Sequence, residues 1–250
     1  MIINNLHLKP TGLDSNAHRK LKLRLPVQDW SLGKQLNALF VGANEFVDAC
    51  REFPIVFVKS GTAVEGKEIL APIAVFGVSQ GENLFIVGER WRGRYMPAVL
   101  RLYPFCMARI DDERLALCVD MAHSGISEDV GDALFDADGN GSELLLRVQK
   151  QLEELEAEVQ RTRAVCLRLQ ELDLLREMRF DATLPGGRTH TVDGFLVVDE
   201  EKVRKLPDAD VLDLHRNGLL GLIHLHWMSM RNMHPLLEWH VERAAAHSPV

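Results

Sequence analysis

The chain has 250 residues, 46% of them hydrophobic and 26% charged, enough apolar material to bury a full core as one large domain or two small ones. Its formal charge of -7 comes from 36 acidic against 29 basic residues, which argues against a broad phosphate-binding face and hence against a nucleic-acid partner. The first stretch, "MIINNLHLKPTGLDSNAHRK", has no apolar h-region, and no run reaches the roughly 18 apolar residues a membrane span needs, so no signal peptide, no span and a cytoplasmic protein are expected.

Before about residue 140, short runs rich in β-branched and aromatic residues alternate with polar turn signals. "PIVFVK" at 54–59, "ILAPIAVFGVS" at 69–79, "NLFIV" at 83–87, "YPFCMARI" at 103–110 and "RLALCVD" at 114–120 read as strands of an antiparallel sheet or partly open barrel. "EFVDACREF", just before the first run, reads as a short helix. From Ser142 to about Met178 neither Gly nor Pro occurs, and Leu145, Val148, Leu152, Leu155, Val159, Thr162, Cys166 and Leu169 step by threes and fours. That spacing predicts one long amphipathic helix, with Glu153, Glu154, Glu156, Glu158, Arg161 and Arg163 on its remaining surface. Such a helix outreaches a small domain, so part of it is expected to pack against a second copy in a homodimer.

"FDATLPGGRTHTVDGFLVVD" then reads as a hairpin at about 180–198, turning at Pro185-Gly186-Gly187. A helix from about Asp208 to Arg216 stops at Asn217-Gly218, and the last segment is helical with a break before Pro235. The fold class expected is α+β: an antiparallel sheet or partly open barrel, then a long helix, a hairpin and C-terminal helices. The division expected is a β-rich half, 1–140, and a helical half, 141–250, or one integrated domain of both.

Chemical signatures are few. "DADGNG" at 136–141 opens like a calcium loop, with Asp136, Asp138 and Asn140 at the first three ligand positions and Gly141 at the sixth. The ninth position is Leu144 and the twelfth is Arg147, a cation where a bidentate Glu belongs, so a tight turn capped into a helix by Ser142 or Asn140 explains the same letters better. Cys50, Cys106, Cys118 and Cys166 are scattered and read as buried thiols. His224 and His226 point about 200° apart on a regular helix and cannot share a metal. His234 and Glu238, four apart, could supply half of a metal site completed by His190 or His123. No nucleophile elbow, P-loop or dinucleotide fingerprint occurs, and no cofactor is called for. The run "GERWRGRYMPAVLR" interleaves Arg90, Arg92, Arg94 and Arg101 with Trp91 and Tyr95, a pattern suited to a carboxylate-bearing or aromatic ligand such as a peptide.

The same run carries a resemblance. "EFPIVFV" at 52–58, "GENLFIVGERWRGRYMPAVLRLYPF" at 81–105, "LFDADGNGSELL" at 134–145 and "GLLGLIHLHWMSMRNM" near the end are together similar to the SapC family of bacterial proteins, not the peptide-transporter permease of that name. The resemblance covers nearly the whole chain. It implies a cytoplasmic protein connected with surface-layer protein export that accompanies flavin-dependent halogenase-like proteins, and it supplies no catalytic residues. Three readings follow. One is a non-catalytic accessory protein binding a polypeptide or a halogenase-like partner enzyme through Arg90, Trp91, Arg92, Arg94, Tyr95 and Arg101. Another is an enzyme with a metal-dependent site at His234, Glu238 and His190. The last is a scaffold whose helical half only assembles the oligomer.

Overall fold

A computed structural model of the chain describes residues 2–64, 67–111, 114–183 and 189–246. It is 38% helix and 26% strand, with several antiparallel sheets, none closed, and helices at the C-terminal end, an α+β protein as the patterning predicts. In chain order the strands are β1 (Pro10–Gly12), β2 (Lys22–Leu23), β3 (Ala38–Phe40), β4 (Ile55–Val64), β5 (Lys67–Val75), β6 (Ile86–Val87), β7 (Arg90–Trp91), β8 (Phe105–Arg109), β9 (Leu115–Asp120), β10 (Ile126–Ser127), β11 (Asp132–Ala133), β12 (Leu175–Thr183) and β13 (Thr189–Val198). The helices are α1 (Phe46–Ala49), α2 (Ala98–Arg101), α3 (Glu143–Glu171), α4 (Glu200–Arg204), α5 (Asp208–Arg216), α6 (Leu219–Ser229) and α7 (Met233–Ala246). None of the described helices is long and apolar enough to cross a membrane.

The chain forms two compact units. The first takes Met1–Gln35, Ile86–Arg92 and Ala98–Ala157; the second takes Leu36–Phe85, Gly93–Pro97 and Glu158–Val250.

In the first unit β1, β9 and β8 make a three-stranded antiparallel sheet. Strand alternation turns Phe105, Met107 and Val119 to one face, where they bury with Leu21, Leu23 and Leu134 against Leu145, Val148 and Leu152 of α3. Each such side chain taken from water contributes about 1.5–3 kcal/mol. On β9 the next residue, Asp120, is fully buried. Its carboxylate accepts the N–H groups of Leu8 (3.1 Å), Lys9 (2.7 Å) and Ala122 (3.2 Å) and the Tyr103 hydroxyl (3.1 Å), so a buried charge is held by four donors that tie the N-terminal segment to the sheet. His7 and His123 flank the Tyr103 ring at 5.8 and 5.3 Å, and burial lowers the pKa of both imidazoles.

The "DADGNG" stretch is a turn. Asp136 Oδ1 accepts the N–H groups of Asp138 and Asn140, Oδ2 accepts from the Asn140 amide, and Gly139 supplies a φ of 90°. Hydrogen bonds from the Asn140 side chain and backbone, above all, hold the Asp136 carboxyl below its usual pKa. Ser142 Oγ then caps α3 by accepting the Leu145 N–H.

In the second unit the sheet runs β12-β13-β4-β5-β3, antiparallel throughout. The hairpin expected near 180–198 is β12–β13, beginning earlier, at Leu175; its Pro185-Gly186-Gly187 turn lies outside the described residues. Phe53 packs against Phe76 and Phe85 at 5.3 and 4.6 Å, and Phe85 against Trp239 at 5.3 Å, edge-tilted aromatic contacts that fill the core.

Two corrections concern α3. The helix ends at Glu171, short of Met178, because Asp173 takes a φ of 50° and the chain turns into β12. Glu158, expected on the outer face, is only 5% exposed. Its Oε1 accepts the Asn44 N–H at 3.1 Å while Thr162 Oγ1 accepts the Ala43 N–H at 2.9 Å, so α3 uses two polar side chains to close the 3-10 turn Ala43–Glu45. Of the rest of the expected stripe, Leu145, Val148, Leu152, Leu155, Cys166 and Leu169 are buried and Val159 is half-buried.

Candidate functional site

The arginine and aromatic run is distributed over several local anchors. β6 and β7 form a two-stranded hairpin with Ile86 opposite Trp91 and Val87 opposite Arg90, turning at Gly88, whose φ of 64° suits a type II′ turn. The Glu89 carbonyl accepts the Trp30 N–H at 2.8 Å and pins this hairpin to the first unit. Arg90 and Arg92 are exposed and Trp91 is half-buried. In the second unit the Glu52 carboxylate accepts the N–H groups of Arg94 and Tyr95 at 2.8–2.9 Å, and the Tyr95 hydroxyl meets Glu45 Oε1 at 2.5 Å. Arg94 is exposed, and so is Arg101 at the end of α2.

His234 and Glu238 stand one turn apart on α7, both exposed, with the His234 ring 6.3 Å from Phe180. His190 lies on β13, and its side chain is outside the described residues. Among the described residues no three His, Cys, Asp or Glu side chains gather as a metal site would require. His224 is exposed and His226 is fully buried, opposed on α6 as the helical period requires.

The most elaborate polar construction of the second unit is one that the letters did not announce. β13 pairs with β4 at Leu196 opposite Phe57, and in that register Ile55 and Val198 would form the next hydrogen-bonding partners two residues on. Side chains of α6 take that place. Val198 N–H donates to His226 Nε2 (3.1 Å), Trp227 Nε1–H donates to the Val198 carbonyl (2.8 Å), His226 Nδ1 meets the Ile55 carbonyl (2.8 Å), and Ile55 N–H donates to Ser229 Oγ (3.0 Å). All four backbone groups of the missing pair are satisfied by one helical turn acting as a wedge.

Beside the wedge lies a cavity of about 430 Å³. Met178, Val197, Trp227 and Met230 give it apolar walls, and Asp199, Glu200 and Glu201 give it an acidic rim. Asp199 also caps α4, accepting the N–H groups of Glu201 and Lys202, and meets Arg176 at 3.5 Å. Sequence reasoning weighed only the two histidines of this helix, His224 and His226, as metal ligands. The signal it passed over was the run His226-Trp227-Met228-Ser229 in a largely apolar helix, where each buried polar atom needs a partner.

Comparison with known proteins agrees with the resemblance of the motifs. Neither the curated proteins nor the solved structures give a match. The model of the SapC family matches residues 13–236, which include most of both compact units, the arginine and aromatic run and the wedge of α6. The chain belongs to the SapC family.

Proposed function

We propose that this protein is a non-catalytic accessory protein that binds a polypeptide, with carboxylate-bearing segments recognised at the hairpin of β6 and β7 through Arg90, Trp91 and Arg92. The observation that carries the reading is the exposure of those arginines around a half-buried Trp on a chain whose net charge is -7. A cationic, aromatic surface on an otherwise acidic protein selects for acidic ligands and against basic ones. Arg101, in the same run and the same unit, is proposed to assist. The partner would be a protein handled during surface-layer export or a flavin-dependent halogenase-like enzyme, and the protein would act in the cytoplasm.

The test is fluorescence anisotropy with labelled peptides of one length that are Glu/Asp-rich, neutral or Lys-rich. Binding of the acidic peptide alone, weakened about tenfold by Arg90→Glu with Arg92→Glu and by raised salt, is the expected result. Equal binding of all three peptides would overturn it.

Self-association is part of the same proposal. The outward face of α3 carries exposed Leu146 and Leu167, and a second copy is proposed to pack there. A metal-dependent enzyme is the second reading, favoured by the i,i+4 placement of His234 and Glu238 on an accessible face of α7. Native mass spectrometry of protein purified without chelator separates them: a stoichiometric transition metal supports the enzyme, a metal-free dimer the accessory protein.

A further inference from the structure

Cys106 and Cys118 stand directly opposite each other on β8 and β9. Asp120 N–H donates to the Pro104 carbonyl at 2.8 Å and Ile110 N–H to the Arg114 carbonyl at 2.9 Å. Because bonded and non-bonded positions alternate, 106 and 118 fall at a bonded position with a Cα separation of about 5.5 Å, inside the range a disulfide spans. Both side chains project to the same face, both thiols are free, and the Cys118 S–H donates to the Ala116 carbonyl at 3.7 Å.

The neighbouring strand adds an approach. Gly12 of β1 is opposite Cys118. Leu13 N–H donates to the Leu117 carbonyl and Met121 N–H to the Lys9 carbonyl, which puts Gly12 and Cys118 at the closer, non-bonded position. Gly12 is exposed, and a Cβ built on it would meet nothing within 4 Å. In the row Gly12, Cys118, Cys106 only the glycine end is exposed; Cys118 is 4% and Cys106 1% exposed, so the oxidant must enter over Gly12 to reach Cys118 first.

We propose that Cys106 and Cys118 form a dithiol–disulfide site, oxidised by a low-molecular-weight disulfide that enters over Gly12. The Cys118 thiol loses its proton to solvent, and its sulfur attacks one sulfur of the oxidant. The oxidant's S–S bond breaks, one small thiolate leaves, and a mixed disulfide remains on Cys118. Cys106 then gives up its proton and attacks the Cys118 sulfur, expelling the second small thiolate. Two cysteine thiols are oxidised to one disulfide and the oxidant is reduced to two thiols. The order follows from the structure: Cys118, not Cys106, is the cysteine directly opposite Gly12. Burial pushes the Cys106 thiol up to about 12 and also raises Cys118, which keeps both as thiols at neutral pH and makes the attack slow.

The experiment incubates the full chain in glutathione/glutathione disulfide buffers of graded ratio, blocks free thiols with N-ethylmaleimide and maps tryptic peptides by mass. Cleavage after Arg109 and Arg114 separates the two cysteines, so a linked pair of peptides reports the bond directly. The expected product is a Cys106–Cys118 link that dithiothreitol reverses, formed about tenfold more slowly in Gly12→Val, with the equilibrium ratio unchanged. In Cys106→Ser, glutathione stays on Cys118. No such link in the wild type at any ratio, links confined to Cys50 or Cys166, or a glutathione adduct on Cys118 as the end product would each overturn the proposal.

Discussion

The imidazole of His226 accepts the Val198 N–H on Nε2 at 3.1 Å, which requires that nitrogen to be unprotonated and assigns the ring proton to Nδ1, donating to the Ile55 carbonyl at 2.8 Å. Neutral His226 is thereby the form that joins β4 to β13, and burial lowers its pKa from 6.5 to about 4. A cationic ring has no acceptor for Val198. In the unfolded chain the same side chain takes its proton near 6.5, so the unfolded state binds more protons as the pH falls. The stabilisation is complete above 6.5 and is lost between 6.5 and about 4, by about 3 kcal/mol at most. Urea unfolding across that window should show the loss. His226→Phe should flatten this part of the profile while destabilising the protein at neutral pH by about 2–5 kcal/mol, because the Val198 N–H and the Ile55 carbonyl lose their partners.

Thr162 offers a cleaner test of a polar contact. Thr162→Val keeps the shape and removes the acceptor of the Ala43 N–H, leaving a buried donor unsatisfied at a cost of about 1–3 kcal/mol. Thr162→Ser should recover most of that loss. Denaturant midpoints of the three proteins check it; equal midpoints would mean that water reaches Ala43.

On α3 the two faces should answer differently to the same substitution. Leu152 is 2% exposed, and Leu152→Ala should cost about 2–5 kcal/mol. Leu146 is 59% exposed, and Leu146→Ala should change monomer stability by less than about 0.5 kcal/mol. If the outward face meets a second copy, Leu146→Ala with Leu167→Ala should shift the apparent mass in analytical ultracentrifugation toward the monomer without moving the unfolding midpoint of the dilute protein.

Asp136 spends its carboxylate on its own turn. Millimolar calcium or a chelator should leave the melting temperature of the wild type unchanged. Asp136→Ala should lower that temperature, because the N–H groups of Asp138 and Asn140 lose their acceptor. A calcium-dependent rise in the wild type would restore the metal reading of this loop.

Legibility in the sequence followed element length and the kind of partner. The apolar stripe of α3 has eight residues in period, and Leu145 to Leu169 are buried much as that period requires; Val159 is only half-buried, and Glu158 goes in beside it because the cap at Asn44 draws it inward. β1, β2, β10 and β11 have two or three residues each, too few to show alternation, and went unread. Of the arginine run, Arg90, Arg92, Arg94 and Arg101 are exposed. The grip of Glu52 on the backbone at 94 and 95 could not be read, since the partner is 42 and 43 positions away. The wedge was hidden for the same reason: what makes His226 and Ser229 polar in an apolar helix is a gap between two strands that only the assembled sheet creates.

The division into two compact units also bears on how the gene can be cut. The polypeptide passes from one unit to the other at 35/36, 85/86, 92/93, 97/98 and 157/158, the last crossing inside α3. No single truncation yields either unit whole, and a stop codon placed anywhere before α3 deprives the first unit of the side chains that close its core. Ribosomal synthesis therefore completes that core only after Leu152 has emerged, and the coding sequence is expected to be inherited as one block rather than shuffled as two modules.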